Sequence, residues 1–459
     1  MARVKTAFFC TECGNETPRW QGQCPACGAW NTLIEEPTGR ARPRSRRDGR
    51  REHGGPAVRA EPRRLAEVEG ADTARWRTAL DEFDFVLGGG IVPGSLVLVG
   101  GEPGIGKSTL LLQVAARLEA TDRSTLYVSG EESAAQVRLR ADRLGAGAGD
   151  VMFLAETELD AILAHADARK PSVLFIDSIQ TVYAPELESA PGSVTQVREC
   201  AARLQRYAKA TDVAVFLVGH VTKDGTVAGP KTLEHIVDTV LYFEGGTGLD
   251  SRVLRATKNR FGGVDEIGVF RMTPAGLVPV SNPSALFLGE RTQGVSGSAV
   301  VATMEGTRPL LVEVQALCTR TSYAAPQRVA TGFDRQRLAL LLAVLEKRAG
   351  IAFGQLDVFL NVVGGVRLGE PAGDLALVAA VASSVFDREV PGDAVFVGEV
   401  GLGGELRPVG QMERRLAEAA RLGFSRAYVA RRGVPPEASA GIETVPVADV
   451  RTLLDLLFR

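Results

Sequence analysis

The run Gly101-Glu102-Pro103-Gly104-Ile105-Gly106-Lys107-Ser108-Thr109 has glycine at 101 and 106 with Lys-Ser directly after, the spacing of a loop that cradles phosphate. Glycines let successive backbone N–H groups face one anion, Lys107 reaches the β and γ oxygens, and the Ser108 hydroxyl is a ligand for Mg²⁺. Every residue from Gly101 to Thr109 is therefore a candidate nucleotide contact. The chemistry needs a second acidic centre, and Val173-Leu-Phe-Ile-Asp177 ends an apolar run on a carboxylate that can face the metal. A base must also orient the attacking water. Leu126-Tyr-Val-Ser-Gly-Glu131-Glu132 closes on two carboxylates, and Glu131 is the first choice; an acid favoured by a helix dipole is its plainer reading. Together these residues imply a nucleoside triphosphate hydrolysed with Mg²⁺.

Such a loop must hang between a buried strand and a helix. Ser95-Leu-Val-Leu-Val-Gly100 reads as the strand and Thr109–Leu118 as the helix. Further strands at Val213–Gly219, Thr239–Phe243 and Arg252–Lys258, alternating with helical stretches, imply an α/β fold with a mostly parallel sheet. Beyond residue 286, strands at Glu313–Leu317, Val358–Gly365 and Ala394–Val400 accompany helices at Arg335–Lys347, Asp374–Phe386 and Met412–Leu422, the last stopped by Gly423.

At the other end, Cys10-Thr-Glu-Cys13 and Cys24-Pro-Ala-Cys27 are two Cys-x-x-Cys pairs, each followed by glycine. Their spacing suits a tetrahedral Cys₄ zinc ribbon, with two disulfides as the competing reading. So short a segment cannot bury enough core, and the metal must supply its folding energy. Cys200 and Cys318 read as buried small hydrophobes. A chain of 459 residues, 45% hydrophobic and 24% charged, has material for about three domains. A formal net charge of −2 offers nucleic acid no overall attraction, so any DNA binding must be local. The Arg/Pro/Gly-rich run from Gly39 to Arg64 reads as a linker or as a phosphate-binding arm. No apolar stretch is long enough for a secretion signal or a membrane span, so the expected location is the cytoplasm.

Further motifs carry a family resemblance. Val218-Gly-His220-Val-Thr-Lys223-Asp-Gly and Lys258-Asn-Arg260-Phe-Gly262 follow the phosphate loop in the order seen in the bacterial RadA/Sms DNA-repair proteins, with the four-cysteine start before them. The chain resembles that family over nearly all its length. The resemblance implies a zinc ribbon (1–35), an Arg-rich linker (36–65), a RecA-like ATPase (66–285) and a Lon-protease-like α+β domain (286–459). It implies ATP, Mg²⁺ and Zn²⁺ as cofactors, and a homo-oligomer, a hexameric ring, working on single-stranded DNA and branched recombination intermediates beside a RecA-type recombinase. The loops at 185–194 and 222–232 would be the DNA loops, with Lys223 and Lys231 supplying charge; mobile polar loops are the bland alternative. His220 would sense the γ-phosphate, or else be a core histidine. Lys258 and Arg260 would act on a neighbouring subunit's nucleotide. In the Lon-like part, Pro371 and Glu413 fall where a serine nucleophile and its lysine should stand, which implies a loss of proteolysis. An ATP-dependent protease and a nucleotide-switched scaffold remain the alternatives to a DNA helicase.

Overall fold

The computed structural model describes residues 6–11, 14–37, 75–145, 149–220, 230–245, 251–289, 291, 294–322, 325–433 and 441–459. Cys13, the linker beyond Pro37 and Lys223 lie outside them. The chain divides into two compact units, one of residues 1–243, 255–264 and 274–277, the other of 244–254, 265–273 and 278–459.

The first unit opens with a small antiparallel sheet, β1 (Thr6–Cys10) flanked by β2 (Glu16–Thr17) and β3 (Leu33–Pro37). After the short α1 (Asp81–Val86), strands and helices alternate: β4 (Leu96–Gly101), α2 (Lys107–Glu119), β5 (Thr125–Ser129), α3 (Ala134–Leu144), β6 (Met152–Ala155), α4 (Leu159–Arg169), β7 (Val173–Asp177), α5 (Val194–Thr211), β8 (Ala214–His220) and β9 (Thr239–Gly245). The order across the sheet is β9-β4-β8-β7-β5-β6, all parallel. β4, β5 and β7 are buried along their whole length, which is why they are near-continuous apolar runs rather than alternating ones. β5 follows β4 in the chain but lies beyond β8 and β7, so the carboxyl ends of four strands open onto one crevice beside the phosphate loop, the place where open α/β sheets bind ligands.

Local signals set the helix starts. Ser133 caps α3 in a reciprocal capping box with Gln136, and Ser193 caps α5 through the Gln196 amide. α2 instead starts on Gly106, held at φ 117°, a conformation that suits glycine alone.

β10 (Ser251–Asn259), β11 (Ile267–Thr273) and β12 (Gly276–Pro279) come next in the chain. The second unit then runs α6 (Pro283–Leu288), β13 (Ser298–Glu305), β14 (Arg308–Arg320), β15 (Arg328–Thr331), α7 (Arg335–Val344), β16 (Leu356–Val362), α8 (Asp374–Phe386), β17 (Ala394–Val397), β18 (Glu399–Val400), β19 (Leu406–Arg407), α9 (Met412–Arg421), β20 (Arg426–Ala430), β21 (Glu443–Val447) and α10 (Val450–Phe458). Its seven-stranded mixed sheet has the order β15-β16-β14-β13-β17-β20-β21. The apolar α8, buried from Asp374 to Ser383, forms the middle of its core.

Candidate nucleotide and metal sites

Lys107, Ser108, Thr109, Glu131, Asp177 and His220 line one cavity of about 420 Å³ at the carboxyl ends of β4, β5, β7 and β8. Register explains the convergence. Gly101 stands opposite His220 across β4 and β8, and Ser129 opposite Asp177 across β5 and β7. Gly101 turns the chain at φ 151°, where a Cβ would come within 2.6 Å of the Phe243 carbonyl, so no other residue fits there.

Lys107 is 3% exposed and donates from Nζ to the carbonyls of Gly101 and Glu102, each at 2.8 Å. Burial pulls its pKa down to about 8, against the pull of Asp177 and Glu131. Glu131 accepts from the Ser178 hydroxyl, and His220 Nε2 lies 3.4 Å from its Oε1, ion-pair range without the alignment of a hydrogen bond. These contacts, His220 foremost, hold the Glu131 carboxyl below the usual carboxylate range although burial pushes the other way. A carboxylate kept ionised in the cavity that Lys107 and Asp177 also line can accept a proton from water.

The residues present fit Mg·ATP. Among the described residues, both His220 ring nitrogens and Arg140 Nη1 are buried without a hydrogen-bond partner, and both side chains line the cavity. The Ser108 hydroxyl and the Asp177 carboxylate are the hard oxygen donors that Mg²⁺ prefers. Bound there, the metal neutralises charge on the phosphates.

Lys258 and Arg260 are not among the residues that line this cavity. Lys258 donates to the carbonyls of Glu234 and Val237 at 2.5 and 2.8 Å, and burial together with Arg260 lowers its pKa. Arg260, with its side chain half exposed, pairs with Asp238 Oδ1 at 3.1 Å, while Asp238 Oδ2 accepts from the Leu96 amide at the head of β4. Both cations thus grip the segment 234–238 that follows Lys231, itself exposed in a short turn at Pro230–Thr232.

In the N-terminal sheet the sulfurs of Cys10, Cys24 and Cys27 all lie within 4.8 Å of one another. Cys10 Sγ and Cys27 Sγ are 3.7 Å apart. That is too far for a disulfide, about 2.05 Å, and close to the edge of a tetrahedron with Zn–S bonds of about 2.3 Å. Two matching turns, Gly14 N–H to the Cys10 carbonyl and Gly28 N–H to that of Cys24, fold the chain around this point. These residues suit a thiolate-bound zinc. Burial pushes the Cys200 thiol up to about 12 and that of Cys318 to about 11, which keeps both unreactive.

Several contributors gave no signal as isolated residues. Gln196, 1% exposed, ties down the loop after β7 by bonding Ala184 and Ser189. Arg198 on α5 donates to the Gly14 carbonyl at 2.8 Å, and Ala7 and Phe9 of β1 join the buried cluster that includes Val197, Ala201 and Leu204. Tyr127, between Leu126 and Val128 on β5, donates to Asp177.

A glycine loop on a parallel sheet, with lysine, serine, aspartate and glutamate around one crevice, defines a RecA-like P-loop ATPase, here preceded by a zinc ribbon. Family models agree: one described as an AAA domain matches residues 61–226, and one described as a rubredoxin metal binding domain matches 8–35. DNA repair protein RadA of Bacillus subtilis is 50% identical over 455 residues, 99% of each chain, and that of Pseudomonas aeruginosa is 52% identical over 458 residues, 100% of each. A solved structure, the KaiC-like protein PH0186 of Pyrococcus horikoshii, is 22% identical and covers 45% of this chain and 99% of its own, at a TM-score of 0.39. The chain belongs to the family of DNA repair protein RadA. No helix of the described residues is long and apolar enough to cross a membrane.

Proposed function

We propose that the protein is a DNA-dependent ATPase and helicase of recombinational repair. It hydrolyses ATP with Mg²⁺, moves along single-stranded DNA and promotes branch migration of strand-exchange intermediates. It works as a homohexameric ring in the cytoplasm, beside a RecA-type recombinase. Its parts are the ribbon (1–35), the linker (36–65), the ATPase (66–285) and a Lon-like, non-proteolytic domain (286–459).

One observation carries the reading. His220 ends β8 with its ring 3.4 Å from Glu131 and is followed at once by the stretch bearing Lys223 and Lys231. A residue that touches both the hydrolytic base and the start of a lysine-bearing loop suits coupling between nucleotide and DNA. In this scheme the Gly101–Thr109 loop binds the phosphates, Lys107 offsets their charge, Ser108 and Asp177 hold Mg²⁺, and Glu131 takes the proton of the attacking water. Lys223 and Lys231 contact DNA phosphates. Cys10, Cys13, Cys24 and Cys27 hold zinc. Proteolysis is disfavoured because Lys347 is the single lysine between 286 and 459 and lies exposed, outside any buried dyad.

The deciding measurement is ATP turnover with and without single-stranded DNA for the native chain and for His220→Ala. Loss of DNA stimulation in His220→Ala that exceeds the loss of its basal turnover supports the coupling. Turnover indifferent to DNA in the native protein points to the nucleotide-switched scaffold instead.

A further inference from the structure

Two hydroxyls join the carboxylates of the nucleotide site crosswise. β5 and β7 are neighbouring parallel strands with Leu126 opposite Leu174 and Ser129 opposite Asp177. Tyr127, on β5 and fully buried, donates its phenolic hydrogen to Oδ2 of Asp177, the carboxylate of β7, at 2.6 Å. Ser178, directly after β7 and equally buried, donates to Oε1 of Glu131, the carboxylate that follows β5. Each strand's hydroxyl therefore holds the other strand's acid.

Packing alone does not call for either group. The Tyr127 ring stacks on Phe175 with centroids 6.0 Å apart, a contact that phenylalanine would keep. A buried hydroxyl is tolerated only where it is bonded, and both of these spend their bond on a carboxylate of the site. Burial first, and the Asp177 charge second, push the Tyr127 phenol well above its ordinary pKa, so it remains a neutral donor.

We infer that Tyr127 and Ser178 are positioning residues that form a reciprocal brace, fixing which oxygen of Asp177 faces the metal and which oxygen of Glu131 faces the attacking water. With Oδ2 taken by Tyr127, Asp177 presents Oδ1 towards Ser108. With Oε1 shared between Ser178 and the nearby His220, Glu131 presents Oε2. A one-residue slip of β5 against β7 would break both bonds together, so the brace also ties the distance between metal ligand and base to strand register. The inference rests on the ATPase reading above.

The test uses the full chain carrying Tyr127→Phe or Ser178→Ala. Binding of a fluorescent ATP analogue is followed as Mg²⁺ is raised, and again in EDTA; the pH dependence of kcat is recorded alongside. Tyr127→Phe raises the Mg²⁺ needed for half-maximal binding about tenfold, as loss of a partner behind a metal ligand does, and leaves binding in EDTA unchanged. Ser178→Ala leaves the Mg²⁺ curve in place but moves the acidic limb of kcat to higher pH, because one of the groups holding the Glu131 carboxyl low is gone. An unmoved Mg²⁺ curve in Tyr127→Phe or an unmoved acidic limb in Ser178→Ala overturns the brace. Equal loss of analogue binding with and without Mg²⁺ in both variants overturns it too, since that pattern marks a general folding role. Lys107→Ala separates the two layers: if it still hydrolyses ATP, the ATPase reading itself fails, and if it does not, the outcomes above bear on the brace alone.

Discussion

Arg415 clasps Glu370 with two parallel hydrogen bonds, Nη1 to Oε1 and Nη2 to Oε2, each 2.6 Å long. The pair sits beside Pro371, which opens a short turn ahead of α8, while Glu413 is exposed in the first turn of α9. Burial pushes the Glu370 carboxyl up, but Arg415, the Met304 amide and the Thr303 hydroxyl outweigh it and hold the group below its ordinary range. The ion pair thus fixes the residue before Pro371 to the first turns of α9, the helix that carries Glu413.

The protein should accordingly cleave neither casein nor fluorogenic peptides, with or without ATP. Arg415→Ala should instead lower stability, by about 1–3 kcal/mol, because Glu370 loses its ion pair and keeps only the Met304 amide and the Thr303 hydroxyl. Urea denaturation followed by circular dichroism checks the second point. ATP-dependent proteolysis that maps to residues 365–415 would show that the structural reading of this region is wrong.

Lys107 offers a test in pH. With its pKa pulled to about 8, the free enzyme loses the ammonium as pH rises past that value, so kcat/KM for ATP should fall on the alkaline side from near pH 8. Bound phosphates favour the charged form, so kcat should hold to higher pH. Lys107→Ala should remove both limbs by abolishing turnover, with the circular dichroism spectrum unchanged. An alkaline limb identical in kcat and kcat/KM would mean that this lysine does not meet the phosphates.

Lys258 and Arg260 call for mixed oligomers. If they act on a neighbouring subunit's nucleotide, Arg260→Ala should slow hydrolysis by about 10³–10⁵, the range for an arginine finger. Mixing Lys107→Ala subunits with Arg260→Ala subunits should then restore part of the rate, since some interfaces pair an intact loop with an intact arginine. If mixed oligomers form but stay as inactive as their parents, and Arg260→Ala weakens only DNA binding, the two cations belong to a DNA path.

The purified protein should carry about one zinc per chain, as four thiolates imply. Cys24→Ala should lose the metal and also lower the melting temperature of the ATPase, because Ala7 and Phe9 share its core and Arg198 holds Gly14. Metal analysis and differential scanning fluorimetry on the same sample decide the matter. A variant that loses zinc yet melts as the native chain does would detach the ribbon from the core.

What could be read from sequence was local. The phosphate loop, the aspartate ending β7 and the paired cysteines are fixed spacings within a few residues, and their chemistry needs little else to be recognised. Contacts set by register could not be read this way: Tyr127 and Asp177 are 50 residues apart, and only the skipping of β5 past β8 and β7 brings them together. The same holds for Gln196, an unremarked helix residue until its amide is seen to staple the preceding loop. The ribbon's seating on α5 was hidden for the opposite reason, since an Arg-rich stretch after Pro37 suggests independence rather than shared packing.

That seating has a bearing on how the molecule can be dismantled. A truncation that begins after residue 37 does not yield a minimal ATPase; it strips Ala7 and Phe9 from the apolar cluster they share with Val197, Ala201 and Leu204 and leaves Arg198 without its carbonyl. Zinc starvation in a cell would have the same reach, turning a shortage of one metal into sticky, unstable ATPase rather than a merely tailless one.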